Sequence, residues 1–154
     1  MSLKATLLLR AFGFLKIPLL FFLRPRVVEV TEERCVVRIP LGRRSKNHLG
    51  SMYFGALCAG ADCAGGLMAM QHIRRTGNKV KLVFKDFRAD FLKRAEGDVH
   101  FTCDSGSAVR ELVERAIASG VRQEMPVPIV ATVPSLSSEP VARFALTLSL
   151  KSSP

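Results

Sequence analysis

The sequence predicts an α+β fold, a curved antiparallel sheet wrapped around one long central helix, with an additional helix at the N-terminus. Three observations carry that prediction. Across residues 52–70 every side chain is apolar or small except Tyr53 and Asp62, which describes a helix built to be surrounded. On either side of it the chain changes to apolar runs of period two, set in closely spaced pairs, and short connections between paired strands favour an antiparallel sheet. The 154 residues, 48% of them hydrophobic, suit one core of ordinary size.

Residues 3–26, LKATLLLRAFGFLKIPLLFFLRPR, carry the apolar weight of a signal peptide or an anchor. Arg10 and Lys16 interrupt the run, Pro18 breaks it, and no small-residue cleavage site follows. Each internal charge would cost about 2.5–3.5 kcal/mol in a bilayer on insertion scales. The expectation is a short amphipathic helix over residues 1–24, packed on the domain or on a partner subunit in preference to peripheral contact with an anionic membrane, followed by one domain over 25–154.

Period-two text begins after Pro25. Residues 27–30 and 35–40 are β-rich and flank a polar turn at 31–34, a hairpin. A polar, basic loop follows over 42–48. The central helix then runs for about five turns, since no β-branched residue appears before Ile73, and Gly77 and Asn78 end it. Its glycines (Gly55, Gly60, Gly65, Gly66) and alanines would let strands come close. Val80, Leu82 and Phe84 alternate with Lys79, Lys81 and Lys85, a strand with one face in the core, and a second strand ends near Cys103. Val109, Leu112, Val113, Ala116 and Ile117 form a helical stripe with Ser105 or Ser107 as N-cap and Gly120 at its end. A last strand pair turns at 134–138.

A formal charge of +10, from 23 Lys and Arg against 13 Asp and Glu, favours anionic partners such as nucleic acid, a phospholipid surface or a phosphate-rich cofactor. The basic residues fall in short clusters without aromatic interleaving or a helix-turn-helix pattern, which speaks against nucleic-acid binding. Cys35, Cys58, Cys63 and Cys103 show no metal-ligand spacing, so no metal is expected and the thiols read as reduced core residues of a cytoplasmic protein. His72 and His100 belong to no motif and read as surface or helix-end residues.

Asp62 is the exception in the buried helix. An ionised Asp removed from water is expensive unless paired, and without a partner its pKa rises instead. It is either a satisfied buried acid or a reactive one. The loop SKNHLGSMYFG places Asn47, His48 and Gly50 directly ahead of a helix N-terminus, whose free N–H groups suit a developing oxyanion. Hydrolysis of a thioester needs such donors, a carboxylate to activate water, and an amide to hold the water or the carbonyl. Eight residues separate Phe54 from Asp62, about 12 Å along a helix, so one chain cannot bring that N–H and that carboxylate together.

An Asn-containing loop, a long Gly- and Ala-rich helix with an acid in its middle, and strands afterwards resemble the hotdog-fold acyl-CoA thioesterases over about residues 27–150. The resemblance is closest to the phenylacetyl-CoA type, in which Asn and Asp are fifteen positions apart, as Asn47 and Asp62 are here. It implies that Asp62 is the general base or nucleophile, that Asn47 positions water or the carbonyl, and that the Phe54 N–H is the oxyanion donor. It also implies a homodimer or a dimer of dimers (a homotetramer), with the loop from one subunit meeting the acid of another. Where the family has His-Gly-Gly this chain has Tyr53, Phe54 and Gly55, so only the last glycine is shared.

His48, Gly50, Tyr53 and Gly55 are then expected around the substrate. Arg74, Lys81, Lys85 and Arg88 are candidates for the phosphates of coenzyme A, which enters as part of the acyl-CoA substrate, with no separate cofactor. Met52, Leu57, Met68 and Phe84 are candidate walls for the acyl group. The alternative is a non-catalytic hotdog module that binds acyl-CoA or a partner.

Overall fold

The computed structural model describes residues 2–152. The N-terminal stretch forms two helices, α1 (Leu3–Lys16) and α2 (Pro18–Leu23), where one was expected. Pro18 is the cause: it brings no N–H to a helix interior but suits a first turn, so the chain restarts there. The two helices fold back on each other at Gly13, where an added methyl would stand 2.8 Å from the backbone nitrogen of Phe21.

β1 (Arg26–Val30) and β2 (Cys35–Ile39) form the expected hairpin. The central helix, α3 (Phe54–Thr76), has 23 residues, about six turns and so longer than expected. Gly77, at φ +69°, closes it in the left-handed conformation that glycine adopts without strain. β3 (Val80–Phe91), β4 (Val99–Cys103), α4 (Gly106–Ser119), β5 (Gln123–Val133) and β6 (Ser137–Ser152) complete the chain.

All six strands join one antiparallel sheet in the order β1-β2-β4-β5-β6-β3. Alternate residues point to one face, and Val37, Phe101, Ile129 and Leu146 are fully buried there against α3. The small residues of α3 allow the approach, but they do not all serve it equally. A methyl group on Gly60 would fall on the ring of Phe101, whereas one on Gly65 would find its nearest neighbour, Phe84 Cζ, at 3.5 Å.

Those two glycines give a matched prediction. Alanine gains about 1 kcal/mol over glycine in a helix interior, while overpacking a filled core costs about 1–3 kcal/mol. Gly65→Ala should therefore raise the urea midpoint, and Gly60→Ala should lower it, with a net stability loss of up to about 2 kcal/mol. Equal shifts for both would show that Phe101 does not press on the helix.

The two sheet edges are treated differently. β1 is covered by α1: the Ser2 N–H donates to the Val27 carbonyl at 3.0 Å, and the Val27 N–H donates to Thr6 Oγ1 at 2.9 Å. Among the described residues β3 has no strand beyond it, and it exposes Val83, Phe87 and Phe91.

The turn between β1 and β2 is tied to the helices. Gln71 Nε2 donates to the Thr31 carbonyl at 2.9 Å, His72 Nε2 lies 2.9 Å from the Glu32 carbonyl, and Arg75 pairs with Glu32. His72 is thus buried, not a surface residue, because the turn folds down over the last turns of α3. His100 is likewise no helix-end residue: it sits half-buried on β4, with burial and the neighbouring Arg38 lowering its pKa. Cys35, Cys63 and Cys103 are buried and Cys58 is half-buried, all four as free thiols. Burial, helped by Cys103 and Glu29, pushes the Cys35 thiol up to about 12.

Candidate functional site

Asp62 sits on the third turn of α3, on a side of the helix that the sheet reaches only with its edge strand β3. The hairpin of α1 and α2 lies across that side, and the space between them is a cavity of about 390 Å³. Leu8, Leu9 and Phe12 of α1, Ile17, and Leu20 of α2 form one wall; Leu82, Val83 and Phe84 of β3 form another; Asp62, Cys63, Gly66, Leu67 and Met70 form the floor. Its size falls within the range of small-molecule sites, and its lining is almost wholly apolar, with a single carboxylate.

That carboxylate is half-buried and forms no hydrogen bond or ion pair among the described residues. Burial alone lifts its pKa above the ordinary carboxylate range, with no cation opposing the shift. A carboxylate in this state is a stronger base than one on the surface, and it has a lone pair free for a water molecule. The adjacent Cys63 is no competitor as nucleophile, because burial first, and then Asp62 itself, hold its thiol far above the usual range.

The loop ahead of α3 stands apart from this cavity. Asn47 Oδ1 accepts the Leu49 N–H at 2.9 Å and its Nδ2 donates to Ser51 Oγ at 3.1 Å, so its amide is committed to closing its own turn, which Gly50 completes at φ +82°. His48 and Gly50 are exposed on that turn. At the start of α3 the N–H groups of Phe54 and Gly55 find no acceptor among the described residues, and no side chain caps the helix. The Tyr53 ring folds over Gly55, where a methyl group would meet it at 2.6 Å, and stacks on Phe54 with centroids 4.7 Å apart. One chain therefore keeps the Asn47 loop, with the Phe54 N–H, apart from Asp62, as the helix spacing requires.

Of the four predicted phosphate-binding cations only Arg74 borders the cavity, and it has no ion pair among the described residues. Lys85 donates to Glu124 at 2.8 Å and Arg88 lies 3.8 Å from Asp90, which spends their charge on the sheet surface; Lys81 is exposed on β3. Three of the four expected acyl walls are corrected. Leu57 and Met68 are buried on the side of α3 that faces the sheet, Met52 is buried ahead of the helix, where its N–H donates to the Ala95 carbonyl at 2.8 Å, and only Phe84 lines the cavity. The residues the sequence reading missed are those of α1 and α2. Leu8 and Phe12, four positions apart on one helix face, were the visible signal.

Elsewhere Arg38 pairs with Asp98 beside His100 and Arg26, bordering an open cleft of about 350 Å³. Among the described residues no group of three or more His, Cys, Asp or Glu side chains is placed to hold a metal ion.

Residues 5–150 match the family described as Domain of unknown function (DUF4442). No curated protein matches the chain. Among solved structures, a Pseudomonas aeruginosa protein of unknown function, named as a probable thioesterase, is 25% identical and aligns over 96% of each chain with a TM-score of 0.79. A Chlorobaculum tepidum protein of unknown function is 12% identical, with a TM-score of 0.84 over 96% of this chain and 94% of its own. A mutant thioesterase of Pseudomonas aeruginosa is 17% identical, with a TM-score of 0.69 over 99% of this chain and 97% of its own. The shared architecture is the hotdog fold, the class expected from the sequence.

Proposed function

The chain belongs to the DUF4442 family, and from that membership and its likeness to a probable thioesterase we propose that it hydrolyses the thioester of an acyl-CoA. The observation that carries this reading is the carboxylate of Asp62 at the floor of an apolar cavity, raised in pKa and held by no cation among the described residues.

In this reading the acyl chain lies between α3 and the α1–α2 hairpin, with the thioester beside Asp62. The carboxylate takes a proton from water as the water oxygen bonds to the carbonyl carbon. The oxyanion that forms is held by the free N–H groups of Phe54 and Gly55, where the helix N-terminus adds its positive end. The carbon–sulfur bond then breaks, the carboxylic acid is released, and the thiolate of coenzyme A recovers the proton from Asp62. Arg74 at the cavity border offers its charge to a phosphate of the carrier.

The N–H donors and the acid belong to different copies in this scheme, two chains pairing along β3. An edge strand of 12 residues with Val83, Phe87 and Phe91 exposed favours such pairing, and the Phe54–Phe91 contact, with centroids 6.2 Å apart, ties the helix start to that edge. Among hotdog thioesterases, the fifteen-position spacing of Asn47 and Asp62 supports a likeness to the phenylacetyl-CoA type. A second reading, a binding module without turnover, is favoured by one feature: Asn47 already spends its amide inside its loop.

The two readings separate in one assay. Purified protein is incubated with short, medium, long and aromatic acyl-CoAs while free thiol is followed. Thiol release above the spontaneous rate supports hydrolysis; binding of a non-hydrolysable acyl-CoA thioether with no turnover on any of them leaves the module.

A further inference from the structure

α1 and α2 bury only a narrow strip against the domain, through Thr6, Leu9, Gly13, Leu20 and Leu23. Their opposite side is also apolar. Leu3, Leu7, Phe14 and Leu15 of α1 are exposed there, Leu15 by 72%, and α2 adds Leu19 and Phe22. Single exposed apolar residues are ordinary, but a helix pair that is apolar on both faces requires something to cover the outer one.

Charge identifies the cover. Residues 2–28 contain five basic side chains, Lys4, Arg10, Lys16, Arg24 and Arg26, and no acidic one. Lys4, Lys16 and Arg24 form no ion pair among the described residues. Arg44 joins them from the following loop, its guanidinium 5.2 Å above the Phe22 ring and 3.3 Å from the Phe22 carbonyl. A second copy of the chain is a poor partner for this face, since a two-fold contact would set the same cations against themselves. The β3 edge, by contrast, mixes Lys81, Lys85 and Arg88 with Asp86 and Asp90. What meets an apolar stripe flanked only by cations is a surface that is apolar inside and anionic outside.

We propose that the outer face of the α1–α2 hairpin docks in the interface of a bilayer containing anionic lipid. The helices lie in the plane of the surface: 14 residues of α1 reach about 21 Å, short of the roughly 30 Å of a hydrocarbon core. No helix among the described residues is long and apolar enough to cross. Leucine and phenylalanine enter the acyl boundary while the basic side chains reach the headgroups. The sequence alone favoured a helix packed on the domain, and it does pack, by its other side. Docking would place the membrane one helix thickness from the cavity that Leu8 and Phe12 line.

Flotation of the full chain with vesicles tests this without reference to hydrolysis. Binding is expected to phosphatidylcholine vesicles carrying a minority of phosphatidylglycerol, to weaken on phosphatidylcholine alone, and to fall in high salt. Leu7→Glu with Phe14→Glu, at positions outside the cavity, should weaken binding at least about tenfold, and Lys4→Gln with Lys16→Gln should remove the preference for the anionic lipid. Because the chain contains no Trp, Leu15→Trp provides an independent reporter whose emission should shift to the blue on anionic vesicles. No association at low salt and no spectral shift would overturn the proposal, as would a wild-type oligomer that the Leu7→Glu, Phe14→Glu pair dissociates while vesicles bind neither form.

Discussion

Asp62→Asn is expected to lower thioester hydrolysis by at least about a hundredfold while making the folded protein more stable near neutral pH. The loss of rate follows from the chemistry, because an amide of the same shape cannot accept the proton of the attacking water. The gain in stability follows from burial. The native carboxyl has a pKa above the ordinary range, whereas in the unfolded chain it returns to the ordinary value. Between those two values the native state holds the proton that the unfolded state has lost, so stability falls as pH rises through the window and stays reduced above it. Asn carries no such penalty. The stabilising effect should be present at neutral pH and shrink in acid, below the unfolded value. In the wild type, kcat/KM should rise with pH through the raised pKa and level off above it. Urea midpoints at neutral and acid pH, with the pH–rate profile, read all of this. A variant with unchanged turnover would remove Asp62 from the chemistry; one that melts lower at neutral pH would show that the carboxylate is stabilised by bonds the proposal denies it.

Gly106→Val should cost about 3 kcal/mol, the upper end for overpacking, and lower Tm by roughly 6–12 °C in a chain of this size. Gly106 opens α4 and donates its N–H to the Glu33 carbonyl at 3.1 Å. A side chain there would collide with the Glu32 carbonyl oxygen and Glu33 Cα, which are backbone and not the tip of a movable side chain. The turn cannot retreat cheaply, since Gln71, His72 and Arg75 hold it from the other side. Gly42→Ala is the control: nothing lies within 4 Å of an added methyl there, and its effect should stay within about 0.5 kcal/mol. Similar thermal shifts for the two would mean that the turn is not braced.

The contrast between Gly106 and Gly60 shows where the sequence is readable. Gly60 lies in a helix marked by composition as buried, so a close approach by a strand could be expected before its partner, Phe101, was known. Gly106 lies beside two serines at a helix start, where glycine is common, and what it meets is 73 residues earlier in the chain. The strand pairs were legible because alternation is a local property. So was Asp62, as the one carboxylate in an apolar helix. Which side of α3 faces the sheet was not, since that helix is apolar all round and only tertiary packing chooses; Leu57 and Met68 were assigned to the wrong side for that reason. The N-terminal helices were recognised as helical and apolar, yet their place over Asp62 depends on the reversal at Pro18 and Gly13, which no periodicity records. His72 was misplaced likewise, because its acceptor belongs to a turn 40 residues away.

The seam between Ser2, Thr6 and Val27 has an implication for any shortened form of the chain. Until the first helix settles, the outer rim of β1 is an open template, with a carbonyl and an amide hydrogen of Val27 turned toward whatever extended peptide is nearby. Cutting away the leading segment would therefore do more than remove a greasy appendage: it would bare an adhesive border and invite accretion of one molecule onto another. Point replacements on the far side of that helix leave the seam closed, which makes them the cleaner way to interrogate the segment.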